Sequence, residues 1–301
     1  MVTLKINDVE YRYPEDANYG KVAEDFQPDM TEDILLIREN NRLREFHHRV
    51  KDGSAIRFVT GRENDGHKAY MRSLLLMLNC ALSHLKGQGR DGEKDPRYDV
   101  KVFFSLADGL YCSLADPTLI TQELLAQLTE EMRQLAQRNL PITKRTVDTA
   151  WAREMFHRRG MYDKEQLFRY RLSSTTNLYC LDGYEDYYYG YMLSSTALMK
   201  AFSLVQYADG FVLRCSKAGS DEEAAFHPDE KLFHVQRSSF QWGESIGLKD
   251  VGDLNDWVVR KGASGLILTQ EAYHEAQIAR IAQKIAEHPE KRIVMIAGPS
   301  S

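Results

Sequence analysis

Val2-Thr-Leu-Lys-Ile-Asn-Asp-Val-Glu-Tyr-Arg-Tyr13 holds two alternating runs, Val2 to Ile6 and Val9 to Tyr13, hinged on Asn7-Asp8. Period-two alternation on either side of a two-residue Asn-Asp step predicts a β-hairpin. Pro14 ends the pattern, and Tyr19 to Phe26 reads as a short helix. Ile34-Leu-Leu-Ile37 and Arg42 to Phe46 flank Glu39-Asn-Asn41 as a second hairpin, and Asp52-Gly53 turns into a closing strand, Ser54 to Thr60. Hairpin, helix, hairpin and closing strand give the β-grasp order. Beyond a polar linker at Gly61 to Gly66, a helix is predicted over His67 to Leu85, with Leu74, Leu75, Leu78 and Leu82 on its apolar side. A charged loop, Gly87 to Pro96, precedes a hairpin of Val100 to Ser105 and Leu110 to Leu114 around Asp108-Gly109. Helices are predicted over Gln122 to Arg138, Val147 to Arg158, Lys164 to Leu172 and Gln270 to His288. Thr176 to Cys215 is strand-rich, with Tyr184, Tyr187, Tyr188, Tyr189 and Tyr191 clustered within it. The fold class is α+β.

Composition sets outer limits. The chain has 301 residues, 43% hydrophobic and 28% charged, which is ordinary for a globular protein of two or three domains. No apolar run approaches the roughly 18 residues that cross a bilayer, so no membrane partner is expected. The formal net charge of −5 disfavours a general nucleic-acid binder. Arg153, His157, Arg158 and Arg159 form a local basic patch that reads as a solvated helix face. Four dispersed cysteines, Cys80, Cys112, Cys180 and Cys215, form no C-x-x-C pair and fit reduced thiols in a cytoplasm.

Residues 1–60 resemble a TGS domain, the ubiquitin-like module of threonyl-tRNA synthetases and some GTPases. Asp52-Gly-Ser-Ala-Ile-Arg-Phe-Val-Thr60 carries the resemblance, which implies ligand or partner binding rather than chemistry. Residues 61–220 resemble the second additional domain shared by threonyl- and alanyl-tRNA synthetases, which hydrolyses mischarged tRNA. Asp108-Gly-Leu-Tyr111, Leu128-Thr-Glu-Glu-Met-Arg133, Arg138-Asn-Leu-Pro-Ile142, Gly183 to Gly190, Ser195-Thr196 and Lys200-Ala-Phe202 follow that domain's motifs in order. The resemblance implies a pocket at His67, Met71, Tyr111, Asp186, Tyr188, Met192 and Lys200. The family's H-x-x-x-H and C-x-x-x-H metal ligands fall here on His67, Met71, Tyr188 and Met192, so one ligand of the set survives. A thioether suits softer metals than zinc, and a phenol with a pKa near 10 is mostly protonated at neutral pH. No metal is expected there; the lining suits a flat ligand or simple packing. Cys80 and His84 are four apart on one predicted helix and could supply two ligands elsewhere, but no second Cys/His pair has comparable spacing. A Cys–His catalytic dyad is not expected either, since nothing nearby in sequence orients the histidine.

Lys291-Arg-Ile-Val-Met-Ile-Ala-Gly-Pro-Ser-Ser301 reads as an apolar strand, Ile293 to Ala297, feeding a glycine-led turn. A P-loop begins this way, and its later Lys and Ser/Thr are absent. Together with Lys231-Leu-Phe-His-Val235, Trp242-Gly-Glu, Val251-Gly-Asp-Leu-Asn255 and Glu271 to Ile285, the pattern resembles bacterial uridine kinase-like nucleoside kinases with a synthetase-derived N-terminal half. That resemblance implies a connector over 221–290 and a truncated kinase start over 291–301, with Gly298, Pro299, Ser300 and Ser301 as an incomplete nucleotide site. It implies no cofactor in these residues, ATP and Mg in the full-length parent, a kinase domain as covalent partner, and a binding or regulatory role for this region. Oligomerisation and an unidentified small-molecule regulator fit the same reading. A tRNA-editing hydrolase, with tRNA as partner, and a purely structural module are the alternatives.

Overall fold

The computed structural model describes residues 1–86, 95–215, 226–296 and 298. The charged loop at 87–94, the acidic segment around Asp221 to Glu223, and Ala297, Pro299, Ser300 and Ser301 lie outside the described residues. The chain divides into two compact units, Met1–Ile246 and Gly247–Ser301.

The first sheet follows the sequence closely. Strands β1 (Val2–Ile6) and β2 (Val9–Tyr13) pair antiparallel. Asn7 and Asp8 both take positive φ, 48° and 66°, the tight hairpin turn that matches strand twist. Helix α1 (Tyr19–Phe26) starts at Asn18, whose side chain accepts the Lys21 N–H at 3.0 Å. Strands β3 (Leu36–Glu39) and β4 (Arg42–Arg44) turn on Asn40-Asn41, and β5 (Ser54–Val59) runs parallel to β1 with Ile6 opposite Ile56. The order β2-β1-β5-β3-β4 is the β-grasp arrangement. Leu4, Ile6, Tyr19, Val22, Ile34, Ile37 and Ile56 close its core.

Helix α2 (Asn64–Leu85) is the spine of the rest of this unit. Its start is three residues earlier than periodicity predicts, because Asn64, Asp65 and Gly66 carry no apolar signal. Gly66 is required by contact: a Cβ there would lie 2.0 Å from the Thr60 carbonyl oxygen. Strands β6 (Val100–Leu106) and β7 (Gly109–Leu114) and helix α3 (Gln122–Gln137) follow. Thr121 caps α3 by accepting the Leu124 N–H.

The predicted helix from Val147 is corrected at its start. Thr143–Asp148 is a strand, β8, and helix α4 begins at Thr149 and runs to Arg158. Lys144, Thr146 and Asp148 alternate with Thr143, Arg145 and Val147, and β-branched residues favour the extended form once a partner strand is present. The remaining elements are α5 (Tyr162–Arg169), β9 (Thr175–Leu181), β10 (Tyr184–Asp186), β11 (Phe202–Tyr207), β12 (Gly210–Cys215) and α6 (Glu230–Ser245). Two sheets result, β10-β9-β8 and β11-β12-β7-β6. Leu74, Met77, Leu78 and Ala81 of α2 share one core with Leu128, Met132 and Leu135 of α3 and with residues of both sheets.

The second unit contains α7 (Val251–Lys261) and α8 (Ala263–Ala286), separated by Gly262 at φ +77°. The predicted strand at Ile293 to Ala297 is not formed over its described residues. Residues 291–296 take no regular structure, and Ile293, Met295 and Ile296 are exposed. A strand needs a partner for its backbone hydrogen bonds, and none is paired with this segment. Among the described residues, no helix is long and apolar enough to cross a membrane.

Candidate functional site

The segment from Asp186 to Leu193 leaves β10 and lies along α2. Four contacts hold it there. Arg72 Nη1 donates to the Tyr191 carbonyl at 2.7 Å. Ser73 Oγ accepts the Leu193 N–H at 2.9 Å while donating to Ala69 O. Asn79 Nδ2 lies 3.4 Å from Tyr188 Oη. Glu45 Oε1, from the β-grasp module, accepts the Met192 N–H at 2.9 Å. Gly190 sits at φ +129°, with Arg72 Cζ only 2.5 Å from where a Cβ would be. The guanidinium therefore fills the space a side chain at 190 would need.

Glu45 is almost fully buried and anchors a network. Tyr179 Oη lies 2.6 Å from Glu45 Oε1 and 2.8 Å from Gly190 O, so one phenolic proton serves two acceptors. Lys144 Nζ donates to Glu45 Oε2 at 2.9 Å. The Tyr179 phenol is pushed well above its usual value, first by burial and then by the charge of Glu45. His47 and His48 stand beside this carboxylate, with donor atoms of all three residues within 4.8 Å of one another. Both Glu45 oxygens are already occupied, by Met192, Tyr179 and Lys144.

The seven positions of the expected pocket come together only in part: Met71, Met192, Tyr188 and Asp186 are neighbours, and Tyr111 and Lys200 lie elsewhere. Met71 and Met192 are buried in the α2 core, and Tyr188 packs against the same cluster. Met192 Sδ lies 4.0 Å from Ser73 Oγ. Burial, followed by the charge of Asp186, drives the Tyr188 phenol well above its ordinary value. Asp186 is buried, bonded to its neighbour's N–H at Tyr187 and paired with Lys164. His67 Nδ1 lies 3.8 Å from Cys215 Sγ. Tyr111 belongs to another cluster and donates to Asp209 Oδ1 at 2.6 Å. Lys200 is exposed and pairs with Asp33 at 2.9 Å. Gly298 has nothing within 4 Å of a Cβ position. At these positions stand two core thioethers, a phenol held protonated by burial, and a histidine beside a thiol. Glu45, Arg72, Ser73, Asn79 and Tyr179 are the polar residues that sequence reasoning passed over. They are scattered singly along the chain, and only the fold assembles them.

A second constellation overturns an expectation. Cys80 Sγ and His84 Nε2 lie 3.6 Å apart on α2, and His84 Nδ1 lies 2.8 Å from Glu131 Oε1 of α3. The histidine is thus oriented by a carboxylate, contrary to the reading that nothing nearby does so; the orienting group comes from 47 residues downstream. Asp182 Oδ2, from the β9–β10 turn, lies 3.8 Å from His84 Nε2 and 2.8 Å from Arg138 Nη2. Cys80 is fully buried, and burial pushes its thiol up to about 12.

No family model matches the chain. Among curated proteins it is similar to the threonine--tRNA ligase of Francisella tularensis subsp. tularensis (strain SCHU S4), 21% identical over 212 residues, which are 70% of this chain and 32% of the ligase. It is also similar to the threonine--tRNA ligase of Methylococcus capsulatus (strain Bath), 25% identical over 192 residues, 64% of this chain and 29% of the ligase. The chain spans about a third of the length of the curated relatives it matches. This distant homology supports a threonyl-tRNA synthetase-like domain in the chain.

Proposed function

We propose that this chain carries a synthetase-related, editing-like domain that has lost metal-dependent ester hydrolysis and acts by binding or regulation. One observation carries the reading. At the four positions where the editing family places its metal ligands, Met71 and Met192 are core residues, Tyr188 is a buried phenol against Asn79, and His67 contacts Cys215. The similarity to threonine--tRNA ligases supports the synthetase-related half of the proposal. The test is deacylation of mischarged threonine tRNA by the chain with zinc present. Ester loss at the buffer rate is expected. Hydrolysis above that rate, abolished by His67→Ala, would restore the hydrolase.

A second reading places the same domain in the N-terminal half of an ATP-dependent uridine or nucleoside kinase. It rests on the connector residues and on Ile293, Val294, Met295 and Ile296, an apolar run that stands exposed here and would be covered as an interior strand of a parallel sheet. On that reading ATP and Mg act at P-loop residues not among these, and the present residues regulate. The first residues encoded after Ser301 test it: a Ser-Gly-Lys-Thr continuation completes the P-loop and supports the kinase, and a sequence that cannot complete G-x-x-x-x-G-K-[ST] from Gly298 removes it.

A further inference from the structure

The second unit has no apolar core of its own. Among its described residues only Gly252 is buried, and no side chain of α8 is. A helix standing alone is marginal in water, and tertiary packing of an apolar face is what ordinarily holds it. Such a face is present on α8 and is exposed. We propose that α8 is a dimerisation element, which packs antiparallel on α8 of a second copy of this chain along Ile267, Ile278, Ile281 and Ile285.

Spacing defines the seam. Ile267, Glu271, His274, Ile278, Ile281, Ile285 and His288 follow one another in alternating steps of four and three. That is the a/d repeat of a coiled coil, sustained here over about three heptads on one side of the helix. The four isoleucines keep between 40% and 59% of their surface in solvent. Leu266, Thr269, Tyr273 and Gln277 are half-buried on another side, so packing within the chain leaves the isoleucine seam open.

Charge names the occupant and its direction. Besides His274, the ionisable side chains of α8 are Glu271 and Glu275 in its first half and Arg280 and Lys284 in its second. An antiparallel copy sets each acidic half beside the basic half of the other and opposes the two macrodipoles. A parallel copy would place Glu271 against its own image at an a position. A different partner would have to carry this charge order in reverse; a second copy already does.

The register follows from the same residues. With Ile278 level with Ile281 of the second copy, Ile285 meets His274 and Glu271 meets His288. His288 Nδ1 lies 3.0 Å from Glu290 Oε1, which leaves Nε2 for the Glu271 carboxylate. Each contact occurs twice, as an isologous two-fold interface requires, so the assembly closes as a dimer.

Sedimentation equilibrium of the full chain should show a monomer–dimer equilibrium. Ile278→Glu with Ile281→Glu should weaken the dimer more than about 100-fold, since four apolar side chains per dimer lose their burial. Arg280→Glu with Lys284→Glu should weaken it about tenfold at low salt, and mixing that variant with a Glu271→Lys, Glu275→Lys chain should restore association. Circular dichroism checks that each variant keeps its helices. The charge variants alter exposed positions and carry the test should the isoleucine pair not fold. Direction is read by pulsed electron resonance between spin labels at Ser264→Cys in a Cys180→Ser chain. The labels should lie about 45 Å apart, at 1.5 Å per residue on either side of the two-fold, whereas a parallel pair would bring them to about 10 Å. A chain that stays monomeric to its solubility limit, a dimer that survives the isoleucine pair, a mixture that fails to recover, or labels at the short distance overturns the proposal.

Discussion

Glu45 Oε1 accepts the backbone N–H of Met192 at 2.9 Å across 147 residues of sequence. The β-grasp module thereby supplies a buried charge that fixes a loop of the editing-like domain, and Lys144 and Tyr179 complete its coordination. Removing the carboxylate strands the Lys144 ammonium and the Met192 amide at once and leaves the Tyr179 phenol with Gly190 O alone. Glu45→Ala should cost about 2–4 kcal/mol in denaturant unfolding. Hydrogen exchange at Met192 should accelerate with it. A loss below about 0.5 kcal/mol, within the range of ordinary surface substitutions, would show that the network contributes little.

Gly190→Ala tests the packing of the same loop. The new methyl meets the Arg72 guanidinium and a φ of +129°, which disfavours any L side chain. Destabilisation of about 1–3 kcal/mol is expected. Arg72→Ala vacates the space but leaves the strained backbone, so the double variant should recover only part of the loss. Additive costs in the double-mutant cycle would refute the contact.

The sequence resolved what local pattern controls. Both β-grasp hairpins were readable from Asn7-Asp8 and Asn40-Asn41, whose residue types accept positive φ. Helices α2 and α3 showed their apolar period. Strand β8 was hidden, because Thr143–Asp148 is mostly polar and gains its form from pairing with β9. Of the candidate site, the sequence named Met71, Tyr188 and Met192, and the fold adds partners that it did not name. Glu131 and Asp182 reach His84 only through the packing of α2 on α3 and on the β9–β10 turn. No spacing rule links residues so far apart in the chain.

Met192 and Tyr188 separate packing from ligand binding. Met192 is buried, so Met192→Ala should cost about 2–5 kcal/mol. Tyr188→Phe removes the long hydrogen bond to Asn79 and the interaction with Asp186, and should cost about 1–2 kcal/mol. Thermal melts of the two variants check the order. If Met192→Ala left stability unchanged, the side chain would line an open cavity, and the filled-pocket account would fail.

The thiols give a pH signature. Burial pushes Cys80, Cys112 and Cys215 each up to about 12, while Cys180 is only partly covered. A folded-state value raised above the unfolded one means that the native chain holds its proton more tightly. The resulting stability is complete below pH about 8.5, where unfolded thiols are still protonated, and is lost as pH rises towards about 12. The urea midpoint should therefore fall steadily above pH about 9, and Cys80→Ala with Cys112→Ala should flatten the slope. At pH 8, a colourless-to-yellow disulfide reagent should label Cys180 quickly and the other three only at the unfolding rate. Rapid modification of Cys80 in the native chain would contradict its burial. A midpoint that rose with pH over the same interval would reverse the sign of the linkage.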